Sequence, residues 1–383
     1  MISDKKNHLS LKVVYFLFFF LLLFPKISII SLPGYKQGIR IEDLVTFVLL
    51  LFILYNYKKF HFLGNSGEIK FFLFTIFIFF SYLIGVYNGV SIEIFSVFRI
   101  IEYFTLLIFF STFYLDKNKI TRILKLVIIL NLLIILAQYF EIIGYFSSTG
   151  YTSPKVFGWK ATGVFSGQWE LSFVISVCYL IIFENQKKKF DRYFFLTVII
   201  IYLSGTKSVQ LAFIISILYT YFKFYFNYLS IIKVIIFISL FILLLSLVIG
   251  YYNMEVKYLL TTLYDLFMNN TVPQFTEDNV EYSSWIHRLH NWQIYYSNMQ
   301  LNIFTFLFGV GYMGIYYESF IFRILFGNGI LGLLILFIFV YKINFSILLF
   351  LLISGITLDF IASFKIFLIL YLYFKMLPKN SKI

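Results

Sequence analysis

Five basic residues and one carboxylate are the groups in this 383-residue chain whose positions point to chemistry. Arg99 and Arg323 lie inside apolar runs, and Lys160, Lys207 and Arg288 lie between such runs. A cation surrounded by hydrocarbon is costly, so it marks either an acidic partner or the path of an anionic ligand. Guanidinium forks grip phosphate oxygens in pairs and ammonium groups act as point charges, so the set suits a pyrophosphate. Glu318 supplies a carboxylate for general-base work. It stands five residues before Arg323, about 140° away around a helix, so the two would touch different parts of one substrate. The plainer alternative pairs Arg99 with Glu102 at i+3 and lets the other cations reach the interface on their long stems. Glu318 is then a solvated residue at a helix start, where the dipole favours it.

His287 and His290 are either solvated or further contacts to the substrate. Spaced i and i+3 with no Glu-x-x-His context, they predict no metal site. No Walker loop, dinucleotide fingerprint or Gly-x-Ser-x-Gly elbow occurs, so no nucleotide or other cofactor is expected. The single Cys178 sits in an apolar run, which excludes disulfides and thiolate clusters.

The elements that must carry these groups are apolar helices. Hydrophobic residues make up 61% of the chain and charged ones 13%, with a mean hydropathy of +0.89, which is the composition of a membrane protein. Spans of about 20 residues are needed to cross a bilayer. Apolar stretches predict an all-α polytopic protein of about twelve spans, near residues 11–31, 42–57, 70–88, 94–115, 122–144, 167–184, 193–205, 208–224, 231–251, 318–341, 344–358 and 361–377. Nine spans fall in 1–251, one long polar loop occupies 252–317, and three spans follow in 318–383. The start of the chain resembles a signal peptide without a small-x-small cleavage site and is read as an uncleaved first span.

With this threading, 20 basic residues fall on one side and nine on the other. The positive-inside rule then puts both termini in the cytoplasm and the long loop outside. The net charge of +13 follows this asymmetry, so nucleic acid is not an expected partner. At Ser204 to Ser208 two short spans with a polar tip are read in preference to a single long one, which would reverse everything after it. Within the loop, Glu255 to Asn269 is weakly amphipathic. Trp285, Leu289, Trp292, Tyr296 and Met299 form a clearer helical stripe, with Arg288 beside it, expected on the membrane or packed over the bundle mouth. Aromatic residues reach 23%, but the excess of Phe, Ile, Asn and Tyr and the scarcity of Arg and Ala look like A+T-rich coding, so no sugar-stacking argument is built on them.

Three stretches carry a family resemblance. They are Lys160-Ala-Thr-Gly-Val-Phe-Ser-Gly, Leu203-Ser-Gly-Thr-Lys-Ser, and the region from Arg288 to Gly332 with Trp292, Leu307-Phe-Gly-Val-Gly-Tyr, Glu318-Ser-Phe and Phe326-Gly-Asn-Gly-Ile-Leu-Gly. Together they resemble the O-antigen polymerase and ligase superfamily of Wzy-type and WaaL-type membrane proteins. The resemblance implies a GT-C-like glycosyltransferase in the bacterial inner membrane that uses undecaprenyl-pyrophosphate-linked oligosaccharides and no nucleotide sugar. It would build lipopolysaccharide or capsule among membrane lipid, with a chain-length regulator protein as a candidate partner. The expected catalytic residues are Glu318, Arg288 and Arg323, and the expected substrate-binding residues are Lys160, Lys207, Arg99, His287 and His290. The family often has Arg where this chain has Lys207, which keeps the charge and loses the fork. Ligases of this kind have a His-Asn pair near the start of the span where this chain has Glu318-Ser319, which favours a polymerase. A ligase, or a flippase or other transporter, is the alternative.

Overall fold

The computed structural model describes residues 4–25, 28–32, 35–56, 66–90, 94–144, 146, 162–165, 167–186, 190–225, 253–274, 283–300, 302–313, 317–341 and 345–376. These fold as fourteen α-helices and one β-hairpin. In chain order they are α1 (Asp4–Leu23), β1 (Ser28–Leu32), β2 (Tyr35–Arg40), α2 (Ile41–Tyr55), α3 (Ser66–Tyr87), α4 (Ile94–Ser111), α5 (Lys117–Tyr139) and α6 (Gln168–Asn185). Then follow α7 (Arg192–Ser204), α8 (Lys207–Tyr225), α9 (Asn253–Tyr264), α10 (Ser283–Met299), α11 (Ile303–Phe308), α12 (Phe320–Tyr341), α13 (Phe345–Gly355) and α14 (Phe364–Met376).

Helices occupy the predicted apolar stretches apart from 231–251, which lies outside the described residues, and the tail of the first. There the expected span to residue 31 is corrected: α1 ends at Leu23 and β1 pairs antiparallel with β2. Pro25 stops the helix, and the β-branched Ile29 and Ile30 suit a strand. Among the described residues, three helices are long and apolar enough to cross a membrane, at Gly67–Tyr87, Lys117–Tyr139 and Phe320–Val340. The chain does break at Gly205, between α7 and α8, rather than run on as one long helix.

Packing divides the chain into two compact units. The first comprises residues 1–79, 92–217 and 336–383, and the second 80–91 and 218–335. In the first unit, α6 is buried from Glu170 to Phe183 and packs against α5, α7 and α14. A helix apolar on all sides has to sit inside other helices, which is how α6 is used. The Thr162–Phe165 turn, part of the first resemblance motif, is stitched to α5 by side-chain amides. Gly163 exchanges hydrogen bonds with Gln138 at 3.0 and 3.1 Å, and Val164 N donates to Asn131 Oδ1 at 3.3 Å.

In the second unit, Leu266, Trp285, Leu289, Trp292, Tyr295, Met299, Val310, Tyr312, Tyr317 and Phe326 form one core. The stripe on α10 therefore meets protein. It is rotated slightly from the sequence expectation, because Tyr295 is fully buried against Tyr317 while Tyr296 is half-buried and donates to Phe267 O at 2.8 Å. Partners on two flanks of α10 take one tyrosine each.

Candidate functional site

The second unit brings Arg288, Glu318 and His287 together. Arg288 Nε donates to Glu318 Oε2 at 3.1 Å, and His287 Nε2 lies 3.6 Å from Glu318 Oε1. The carboxylate and the guanidinium are partly exposed, at 29% and 24%, so the pair opens to its surroundings. The Arg288 contact runs through Nε to one carboxylate oxygen. A tie selected for stability alone gains most from the two-bond fork, which this geometry does not use.

The backbone holds Glu318 in an unusual state. Its φ is +53°, in the left-handed region that a side chain bearing a Cβ rarely adopts. Such a conformation costs about 1–3 kcal/mol and persists only where neighbours impose it, typically at functional sites. Here the neighbours are identifiable. Trp292 Nε1 donates to Tyr317 O at 2.6 Å, and the Tyr317 hydroxyl donates to Gly311 O at 2.9 Å. The Tyr317 ring stacks on Tyr295 at 4.6 Å between centroids. Residue 317 is thus fixed at its carbonyl, its ring and its hydroxyl, which leaves residue 318 little freedom.

Arg323 packs on the ring of Tyr317. It is 3% exposed, and its guanidinium carbon lies 4.9 Å from the Tyr317 ring centroid, a cation–π contact. It does not pair with Glu318, in keeping with the angular separation read from the sequence. The two guanidinium groups thus have different partners, Arg288 the carboxylate and Arg323 the ring. His290 is exposed on α10.

Of the remaining predicted residues, Arg99 and Lys207 belong to the first unit. Arg99, in the first unit, donates to Glu102 at 2.6 Å and sits 3.7 Å from Asp43, so its charge is matched by carboxylates. Lys207 is exposed at the first residue of α8 in the same unit. Lys160 lies outside the described residues. Lys365, one of the nine basic residues that the charge count put on the outer side, is fully buried; its ammonium donates to Phe24 O at 2.6 Å and Val164 O at 3.3 Å.

Sequence reading missed Tyr317, which organises the site. The signal was present as a tyrosine next to Glu318 and was lost among 31 tyrosines discounted as compositional. Comparison of the chain with family models, with curated proteins and with solved structures finds no match.

Proposed function

We propose that this protein is a Wzy-type polymerase of lipid-linked oligosaccharide repeat units, a polytopic GT-C-like enzyme of the bacterial plasma membrane with about twelve spans. One observation carries the reading. The pieces of the third resemblance stretch, scattered from Arg288 to Gly332, belong to one folded unit in which a strained carboxylate meets an arginine and an imidazole.

In this reading the growing chain on undecaprenyl pyrophosphate is the donor. A hydroxyl on the incoming unit attacks its anomeric carbon, the new glycosidic bond forms as the bond to pyrophosphate breaks, and the hydroxyl proton passes to Glu318. Arg288 and Arg323 offset the charge gathering on the leaving pyrophosphate, where fixed electrostatics contribute most to catalysis. Glu318 stands two residues before the first residue of α12, so the site belongs at headgroup level if α12 crosses the bilayer.

Deletion of the gene tests this reading. Single repeat units on their normal acceptor are the expected result, and normal long chains with no second polymerase present would rule the proposal out. One feature favours the ligase alternative: an imidazole, that of His287, does reach the start of α12. Long chains stranded on the lipid carrier would decide for it, and units retained inside the cell would decide for a flippase.

Orientation follows from the same proposal, with both termini cytoplasmic and 252–317 outside. Fusions at residue 275 are expected to be active with a reporter that works outside the cytoplasm and silent with a cytoplasmic one. An active cytoplasmic reporter there would overturn the orientation and the placement of the site.

A further inference from the structure

The long loop does not remain outside the apolar helices. After α10 the chain forms α11 and then a non-helical turn at 309–313, and this turn is packed backbone against backbone on two helices long and apolar enough to cross a membrane. Val310 N donates to Phe326 O of α12 at 2.8 Å, and Tyr312 N donates to Ser81 O of α3 at 2.9 Å. Gly309 is so close to Gly327–Gly329 that a Cβ would lie 2.5 Å from Asn328 N, and one on Gly311 would lie 2.6 Å from Ser81 O.

The depth of these contacts can be counted along both helices. Phe326 and Gly329 are six and nine residues past the start of α12, about 9 to 14 Å along it at 1.5 Å per residue. Ser81 is six residues before the end of α3, about 9 Å by the same rise. In the proposed threading α3 ends and α12 begins on the outer side, so the two counts give the same level.

The polar backbone of the turn is satisfied as membrane depth demands. Non-helical backbone survives there only when buried in protein or facing a water-filled cavity. Gly309 N donates to Thr305 O at 2.9 Å, Val310 O accepts from Asn88 Nδ2 at 2.7 Å, and Gly311 O accepts from the Tyr317 hydroxyl at 2.9 Å. Residues 309–312 are buried. By contrast, α11 exposes Ile303, Phe304, Phe306, Leu307 and Phe308, with Ile303 at 80%, and carries no charged residue. Apolar side chains are exposed as well on α3, at Phe80, Leu83 and Val86, and on α12, at Leu334.

From this we infer that residues 303–313 form a re-entrant element: α11 dips into the outer leaflet beside α3 and α12, its exposed face is covered by lipid acyl chains, and the turn carries the chain back to Tyr317. The inference rests on the proposed reading that α3 and α12 cross the bilayer. Its consequence is that Glu318 and Arg288 are held at the membrane surface by a wedge rooted in the lipid, where a lipid-borne pyrophosphate lies.

The test uses the full-length protein in vesicles of phosphatidylethanolamine and phosphatidylglycerol, with a nitroxide label on Phe308→Cys, Leu334→Cys or Asn269→Cys. Cys178 is fully buried and takes no label. Collisions with oxygen are expected to exceed those with a soluble nickel chelate several-fold at 308 and 334, and the reverse is expected at 269. Should the 308 variant fold poorly, Phe304→Cys reports on the same face. Nickel access at 308 with lipid exposure at 334 would overturn the re-entrant element while leaving α12 in the membrane. Shielding of 308 from both reagents, as by a second copy of the chain, would overturn it too. Nickel access at 334 as well would remove the bilayer reading of α12 and the inference with it.

Discussion

Replacing Arg288 with Ala is expected to abolish chain extension while leaving the amount of protein in the membrane unchanged. A partly exposed ion pair contributes only about 0.2–1 kcal/mol to stability, so its loss should not lower abundance. Loss of one preorganised donor to a developing negative charge slows a reaction roughly 10²–10³-fold. Glu318 separates the two effects further. Glu318→Gly removes the carboxylate and also relieves the left-handed backbone, so it should leave stability within about 1 kcal/mol of the parent and activity absent. Glu318→Gln should lose extension and retain substrate binding. The competing account, in which Arg288 and Glu318 form a structural tie, makes its own prediction: the exchanged pair Arg288→Glu with Glu318→Arg would restore function. Polysaccharide of near-normal length in the Arg288→Ala strain at equal expression, or rescue by the exchange, would remove the centre of the proposed mechanism.

Different parts of this protein were legible in the sequence for different physical reasons. Most helix positions were readable because apolar runs and their punctuation are local: Gly205 ends a helix, and the stripe from Trp285 to Met299 has the helical period. The hairpin after α1 was missed because apolar strand and apolar helix look alike over a few residues, and the strand is recognised by a partner, β2, that hydropathy does not reveal. At the site, proximity in the chain gave Glu318 and Arg323 as neighbours that do not pair, and the structure agrees. The Arg288–Glu318 contact spans thirty residues, and no local pattern encodes it. Lys365 shows the same limit in reverse. Charge counting put this lysine on the outer side as though it met water, whereas it is fully buried and binds two backbone carbonyls. The glycines of the third motif were read as a family signature, but their physical reason is contact between backbones, which appears only when the turn is seen against α12.

That contact makes Gly329→Ala the substitution with the largest expected effect on folding. Gly329 interrupts α12 with φ +68° and ψ −167°, a region essentially closed to residues with a Cβ. Opposite it, Gly309 has φ +87° and ψ +170°. A Cβ on Gly329 would run into the Leu307 carbonyl and lie 2.6 Å from Gly309 N, both of them backbone, so a rotamer change cannot relieve the clash. Backbone strain and overpacking each cost about 1–3 kcal/mol, and together they amount to about 3 kcal/mol or more against a typical total of about 5–15. The purified Gly329→Ala protein in detergent should unfold at a clearly lower temperature than the parent. Gly144→Ala, where an added Cβ meets nothing within 4 Å, should unfold with the parent. Because the Leu307–Tyr312 turn also supports the Tyr317 hydroxyl through Gly311 O, the fraction of Gly329→Ala that does fold should polymerise poorly. An unfolding temperature equal to that of the parent would mean that α12 runs unbroken past residue 329, and the turn would then have no notch in which to sit.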